Sequence, residues 1–576
     1  MRLCMVSFVV VAAARCSSHD GPSFDAVTDW GDAVDVEHDL PVEGTVCVGG
    51  SRECTGPLSY HICEPDGNGW GEDQDCEEGT TCYEGFCSVP CDRVESEPSS
   101  IGCLFYALDM DQWSWPVIEY DTSPYAIVAS NTDDYFNALV SVQRREGGAW
   151  VDVEFHEIPP NSLFTFRMPG DSHVEDTGIG TAVAFRISSD YPIIAYQFNP
   201  IDTADQASND ASLLLPLHAL DRHYYAVSWH QLGMPIMGRE SKGYVTVVGT
   251  ADGTYVTVTP TVDTVAGGDV PAIAAGDSYS TTINDGDVLQ IATEASAADL
   301  SGTYILADAP VAVFGGHECA DVPYHCSWCR DGFGDVPGGL TPEHEDETCA
   351  WCDHLEEQVF PLSTWGTTFV ASRVPVRSTG GIVEAAFWRV VASVDDTTVT
   401  IEERPGITLR LATGYSNPAV LDAGQYLDFE MVGPLSNPGD SLVSADKPIL
   451  LAQYIEGQEC TNRADNEGGD PALIIMVPVE QYLDDYVFLT PNTYDIDYVI
   501  VTRPTGAVIT LDTFEIPDIS FIPAATGWEV ARVEVGDDVH VISGTAPFGI
   551  IAVGYSPYVS YGYAGGMKLE DINPLI

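Results

Sequence analysis

Four stretches of this chain repeat one phrase, and that phrase limits what the chain can fold into. They read FRISSDYPIIAYQF, YILADAPVAVFGG, LVSADKPILLAQY and VISGTAPFGIIAVGY. In each, a strand-forming run leads to Asp190, Asp308, Asp446 or Thr545, then one spacer, then Pro192, Pro310, Pro448 or Pro547 and a second apolar run. Proline lacks the N–H that a ladder needs, so it is expected at the first residue of a strand. The polar side chain two residues earlier can bond the backbone of the turn. Self-similarity at this scale means one supersecondary unit used several times.

Two further phrases travel with the first. DASLLLPLHALDRHYYAVS, DHLEEQVFPLSTWGTTFVAS and DPALIIMVPVEQYLDDYVFLT each hold an acid, an apolar run with proline, a short turn and an aromatic-rich strand. Strand–turn–strand pairs follow, such as YVTVVGTADGTYVTVTP around Asp252 and FWRVVASVDDTTVTIEE around Asp395. Their apolar period is mostly two or continuous, and turns recur roughly every 8–12 residues, which reads as β throughout. The expected fold is therefore all-β, with four related β-rich units at about 117–213, 214–357, 358–475 and 476–576. Tandem sandwich-like units fit their length best, and a propeller-like closed array is the alternative.

The charge balance narrows the partners. Acidic residues number 88 against 22 basic, a net −66, and only Lys242, Lys447 and Lys568 are lysines. Such a surface repels phosphate backbones, so nucleic acid is excluded as a partner, whereas divalent cations and basic proteins are attracted. With 45% hydrophobic and 19% charged residues, the chain can still bury several cores.

The N-terminal part reads differently. Arg2 precedes the apolar run LCMVSFVVVAAA, which has signal-peptide length and is too short to span a bilayer. Residues 1–15 are expected to be a leader, leaving Cys16 near the mature N-terminus as a candidate lipidation site; Arg15 before it departs from the small residue of a lipoprotein signal. Residues 16–46 are acidic, rich in Pro, Gly and Asp, and expected to be a disordered spacer. A cysteine-rich module follows at 47–103, with Cys47, Cys54, Cys63, Cys76, Cys82, Cys87, Cys91 and Cys103. So short a segment builds little core, and disulfides of roughly 2–4 kcal/mol each must stabilise it. Within it, Asp66, Asn68, Gly71 and Glu77 fit a calcium-loop spacing, but Trp70 stands where an oxygen ligand belongs.

With these phrases in view, the region from Val117 to Pro574 resembles the N-terminal domain family of IgG Fc-binding proteins. The residues that carry the resemblance are DLSGTYILADAPVAVFGGHEC, CDHLEEQVFPLSTWGTTFV and PFGIIAVGYSPYVSYGYAGG. The cysteine-rich module lies outside it and resembles short modules of bacterial, particularly myxobacterial, surface proteins. In the family, the cysteines matching Cys319 and Cys352 lie much closer in sequence, so the resemblance implies that these two pair across an insertion particular to this chain.

That insertion holds the sharpest chemical motif. Cys326-Ser-Trp-Cys329 and Cys349-Ala-Trp-Cys352 have zinc-ribbon spacing. A secretory setting favours oxidation instead. If Cys352 pairs with Cys319 as the resemblance implies, Cys326, Cys329, Cys349 and Cys460 remain for two further bridges. His317, His325, His344 and His354, with Glu318, Glu343, Glu345, Asp346 and Glu347, could form a surface metal site or simply a solvated acidic loop. Gly439-Asp440-Ser441-Leu442 spells an esterase motif but precedes a strand of an all-β unit, where it reads as a turn. Tyr555, Tyr558, Tyr561 and Tyr563 suit either a binding loop or a packed last strand.

These readings converge on a binding protein without a chemical step, secreted or held at the outer surface of a Gram-negative bacterium. Its partner would be an extracellular protein or glycan. The alternative is a structural, calcium-tuned component of matrix or envelope. No catalytic residue and no cofactor is expected, calcium being the one candidate ion.

Overall fold

The computed structural model describes residues 46–77, 79–96, 98–115, 118–119, 123–170, 172–201, 208–233, 240–324, 352–381, 383–461 and 468–573. The leader, Cys16 and the acidic spacer to residue 45 lie outside these. So do Cys326, Cys329, Cys349, His325, His344, Glu343, Glu345, Asp346 and Glu347. The described chain divides into a small compact unit, residues 46–75 with 84–86, and a large one, 76–83 with 87–573. Among the described residues no helix is long and apolar enough to cross a membrane.

In the small unit, Arg52–Gly56, Ser59–Ile62 and Gln74–Asp75 make a three-stranded antiparallel sheet. Cys47 is bonded to Cys63. Asp66 Oδ1 accepts the Asn68 amide at 3.1 Å, which lowers its pKa, and Trp70 stacks on His61 at 4.1 Å. The region is disulfide-rich as expected: Cys76–Cys87 and Cys91–Cys103 are bonded, and Cys54 and Cys82 are also oxidised.

The large unit is all-β and built from four repeats. Each is organised by the strand that carries the repeated phrase: Phe185–Asn199, Tyr304–Ala320, Ser441–Ala445 continued by Ile449–Ile455, and Asp538–Ser556. Along each hub strand the hydrogen-bonded partners change. In the second repeat Tyr304–Ala307 pairs with Thr254–Thr259, whereas Val311–His317 pairs with Gly243–Gly249. In the fourth, Asp538–Gly544 lies between Leu483–Thr490 and Ile509–Leu511, and Gly549–Tyr555 pairs with Ile496–Pro504. In the third repeat the passage is a break between two strands in separate sheets of four and five strands.

The proline therefore does not open a strand. It sits at the bend, where the hub has left one ladder and not yet joined the next, so neither sheet lacks its N–H. Nor does the side chain before it bond its own turn; it caps a neighbouring strand. Asp190, Asp308 and Asp446 accept the backbone N–H groups of Leu139, Tyr255 and Thr398 at 2.7, 2.8 and 2.7 Å. Thr545 accepts that of Val508 at 3.0 Å. The proline carbonyl is used as well: Pro192, Pro310 and Pro448 receive the hydroxyls of Thr132, Thr250 and Ser393.

The second phrase supplies the innermost strands, Asp210–Leu214, Asp353–Gln358 and Ala472–Ile475, with Val559–Ala564 as the fourth member. Each pairs with the distal half of its own hub. Together they gather around one axis. Ser212 Oγ donates to Glu357, the Ile475 amide points at Glu357, Ile474 lies against Gly562, and Tyr563 packs on Tyr196 with ring centroids 4.6 Å apart. A Cβ on Gly562 would stand 2.5 Å from Ile474 Cδ1, so a larger residue there would have to displace the Ile474 side chain between the third and fourth inner strands. The fourth repeat thus returns to the first. The ends of the large unit meet too, the Ser100 amide donating to the Met567 carbonyl, and the C-terminal segment reaches across to the third repeat, the Ile572 and Asn573 amides donating to the Ser363 carbonyl. The repeats are sandwich-like, as the strand pattern suggests, and they close into a ring instead of forming a row.

Apolar clusters run across the seams. One joins Ile187, Phe314 and Tyr454, a second Trp388 and Val553, a third Phe198 and Phe488. Arginines hold three seams as well. Arg145 meets Asp252 at 2.6 Å between repeats one and two, and Arg532 meets Asp440 between three and four. Between two and three, the fully buried Arg389 reaches Asp299 at 2.6 Å and Asp428 at 2.7 Å under the rings of Trp229, Tyr426 and Tyr454.

Two stability predictions follow from this frame. Asp308→Ala should lower stability by about 1 kcal/mol, the net worth of the lost strand-capping bond, while Asp308→Asn stays near wild type in urea titrations. Arg389→Ala leaves two buried carboxylates without their cation and should cost about 3–5 kcal/mol, read as a shifted unfolding midpoint.

Candidate binding face at the ring axis

All four hub strands run toward the same end of the axis, ending at Asn199, Ala320, Ile455 and Ser556. The inner strands start from that end. In the fourth repeat only Pro557 and Tyr558 connect the two; in the others the connections are residues 200–209, 321–352 and 456–471. Topology therefore brings the roots of three insertions to one end of a closed scaffold. These insertions carry fourteen acidic residues against two arginines, Arg330 and Arg463.

The roots are firmly held. A disulfide joins Cys319 to Cys352 at the base of the longest insertion. Cys352 is thus not a free thiolate for a four-cysteine zinc site, and Cys460 is also oxidised. The Gly457 amide donates to the Val322 carbonyl at 2.7 Å, tying the third root to the second. Asn209 N donates to Asp353 at 2.6 Å, tying the first to the second. Arg377 donates to the carbonyls of Glu456 and Gly468, closing the third root on itself.

Beneath the roots lies a buried acidic layer. Asp210, Asp353, Glu356 and Glu357 are 0–2% exposed. Asp210 Oδ2 accepts the amides of Glu356 and Leu473 at 3.2 and 3.0 Å, and Oδ1 that of Ala211. Glu357 accepts the Ser212 hydroxyl, and Glu356 the Gln197 amide at 3.2 Å. Burial pushes all four carboxyls well above the usual range, more than these donors pull them down. Asp470 and Asp497 are raised by burial to about 7.

Several candidate residues turn out to be structural. His317 and His354 are fully buried in paired strands, so they do not flank an exposed metal loop. Burial drives both down to about 3, which leaves them neutral, and His317 is committed to the His230 carbonyl at 3.0 Å. Asp440 accepts the Arg373 amide and Ser441 donates to the Glu402 carbonyl; both are fully buried, and the motif is a turn entering a strand. Tyr555, Tyr561 and Tyr563 are packed inside, Tyr561 donating to Asp497 at 2.6 Å, while Tyr558 takes φ 67° in the two-residue turn. Apart from the half-buried Tyr558, none of these groups can meet a substrate while the ring is closed.

One constellation had no signal in the sequence. Asp111 sits with His173 and Glu175, and also with Asp176 and Glu318, each set having ligand atoms within 4.8 Å of one another. These residues come from the loop after Gly102–Ala107, from the 172–176 turn and from the second hub. Lys242 stands 2.8 Å from Asp176 and already brings a cation there.

The buried layer makes stability depend on pH with a definite sign. Asp470 and Asp497 hold protons in the folded state up to about 7, while their ordinary value is 3.8. Their contribution is complete below about 4 and is lost as pH rises through about 7. Burial would also raise Asp299 and Glu384, but Arg389 and His230, and Arg373 and Arg377, outweigh it and hold both near 2, so they weaken the fold only in strong acid. Thermal unfolding should therefore occur at lower temperature at pH 8 than at pH 5, and Asp497→Asn should flatten that slope.

Comparison with known proteins places residues 210–554 within the profile of a family described as IgGFc binding protein. The chain is also similar to IgGFc-binding protein of Homo sapiens, 26% identical over 398 residues. That match covers 68% of this chain and 6% of the human protein.

Proposed function

Because this chain belongs to the IgGFc binding protein family, we propose that it is an extracellular binding protein that recognises its partner at the insertion-bearing end of the ring. The observation that carries this reading is that the roots of three acidic insertions gather at one end of a closed scaffold, where the fourth repeat has only a two-residue turn. Rigid frames that present variable loops at one end are a recurrent recognition design. The acidic loops favour a protein with a basic surface. The act is binding without a chemical step: the carboxylates and histidines of the axis are buried and serve to hold the loops. In this reading the repeats would be units at about 117–213, 214–357, 358–475 and 476–576, and the 47–103 module would hold them on an acidic tether. The apolar run near the N-terminus and Cys16 fit export and lipid anchoring at the outer surface of a Gram-negative cell.

The name of the human relative speaks of IgG Fc, which makes Fc one probe among extracellular proteins and glycans. Replacing residues 325–351 by a short Gly-Ser linker, with Cys319 and Cys352 retained, should leave the unfolding temperature near wild type. It should also abolish binding to whichever immobilised protein the intact chain retains. Equal retention by both forms would remove recognition from this face, and retention of glycans alone would reassign the ligand class.

A further inference from the structure

A cavity that shares no residue with the insertion roots lies at the seam between the second and third repeats. It measures about 460 Å³, within the range of small-molecule sites. The seam is not loosely packed there. A Cβ on Gly302 would stand 1.9 Å from the carbonyl oxygen of Gly424, a lining residue, so the two repeats meet backbone to backbone beside the cavity.

Its floor is the ion network of Arg389. Asp299, Asp428 and Ser301 line it while only 3, 7 and 0% exposed. Arg389 donates Nε and Nη2 to the two oxygens of Asp428 at 2.7 and 2.8 Å, and Nη1 to Asp299 at 2.6 Å. An ionised carboxylate has about four acceptor positions. The two Arg389 bonds fill half of those on Asp428 and leave the rest for donors in the cavity.

One wall is aromatic. Tyr415 is 38% exposed and commits its hydroxyl to the Tyr426 carbonyl at 3.3 Å, so what it offers is its ring. Tyr426 is half-buried, and its hydroxyl has no hydrogen-bond partner among the described residues, yet it is not sealed inside. A tyrosine hydroxyl so enclosed normally finds a partner. Gln425 accepts the Asp422 amide through Oε1, which leaves its NH2 group as a donor.

Charge and shape select the occupant. Two carboxylates, on a chain of net charge −66, repel an anion. The Arg389 guanidinium, 4.1 Å from the centroid of the Tyr426 ring, already fills the place of a cation and repels a second one. His230, 3.7 Å from Asp299, is pushed down by burial and stays neutral. What fits is a neutral molecule with several hydroxyls and an apolar face. We propose that this cavity binds a neutral pyranose residue of a glycan. Its hydroxyls bond Asp428, Tyr426 and the Gln425 amide, and its C–H face lies on the Tyr415 ring. The site stands apart from the insertion-bearing face and does not rest on it.

The test is saturation-transfer difference NMR on the intact chain with methyl β-D-glucopyranoside, methyl β-D-galactopyranoside and methyl α-D-mannopyranoside. Glucuronate and choline are the anionic and cationic controls. At least one neutral glycoside should receive saturation on its ring protons well above both controls. Tyr426→Phe removes only a hydroxyl that no protein group uses. It should weaken the affinity read from the titration about tenfold and leave the unfolding temperature at the wild-type value. Tyr415→Ala should abolish the signal, and Tyr415→Phe should retain it. Replacing residues 325–351 by the Gly-Ser linker should leave it intact, so failure of this site and failure of the insertion face are read separately. No transfer to any of the three glycosides overturns the proposal, as does transfer to choline or glucuronate of equal strength. A signal unchanged by Tyr415→Ala and Tyr426→Phe, or lost in the linker variant, places the sugar elsewhere and overturns it too.

Discussion

One buried acid ties three of the repeats together. Asp210 accepts backbone N–H groups from Ala211 of its own repeat, Glu356 of the second and Leu473 of the third. Each bond alone is worth little in net terms, but the alternative is a buried acid and three buried amides with no partner, and that is costly. Closure is therefore cooperative. None of these three repeats can shift its inner strand without breaking the set, and the aromatic pair of Tyr196 and Tyr563 lies at the seam where the last repeat meets the first.

The same constraint explains where the few cations go. A chain with 22 basic residues against 88 acidic ones would be expected to scatter its arginines for solubility. Instead Arg389, Arg373 and Arg503 are almost wholly buried, and Arg145 and Arg532 sit at seams. Interior acids take these cations in bidentate or shared geometry, which arginine provides better than lysine. The outer surface is left strongly negative, and its long-range field acts on any approaching partner.

The repeated phrase was legible because its chemistry is local. Asp308 and Pro310 mark a bend wherever they stand, and a strand-forming run on each side follows from side-chain branching. What the bend accomplishes was not legible, since the amide that Asp308 caps belongs to Tyr255, fifty-three residues away. Ring closure was hidden for the same reason: nothing local in DASLL announces that Asp210 meets Glu356 and Leu473. The strand Gly102–Ala107 was masked by Cys103, which reads as the end of a disulfide module although the strand pairs with the first hub. The Asp111 constellation joins two loops and the second hub strand, all distant in sequence, and leaves no spacing to find. His317 and His354 misled because a histidine near cysteines suggests a ligand, and only burial shows that their rings are neutral packing groups.

Stability and recognition are separated in this architecture. The axis, the seams and the bends are filled with side chains whose partners lie inside the ring, so few of them are available to a ligand. Variation is confined to the connections between hub and inner strand. There the fourth repeat shows that two residues, Pro557 and Tyr558, are enough to satisfy the fold. Anything longer is surplus to folding, and a loop that folding does not require is free to answer to a partner. The segment between Cys319 and Cys352 is the longest such surplus, and the disulfide at its base confines its variation to the loop itself.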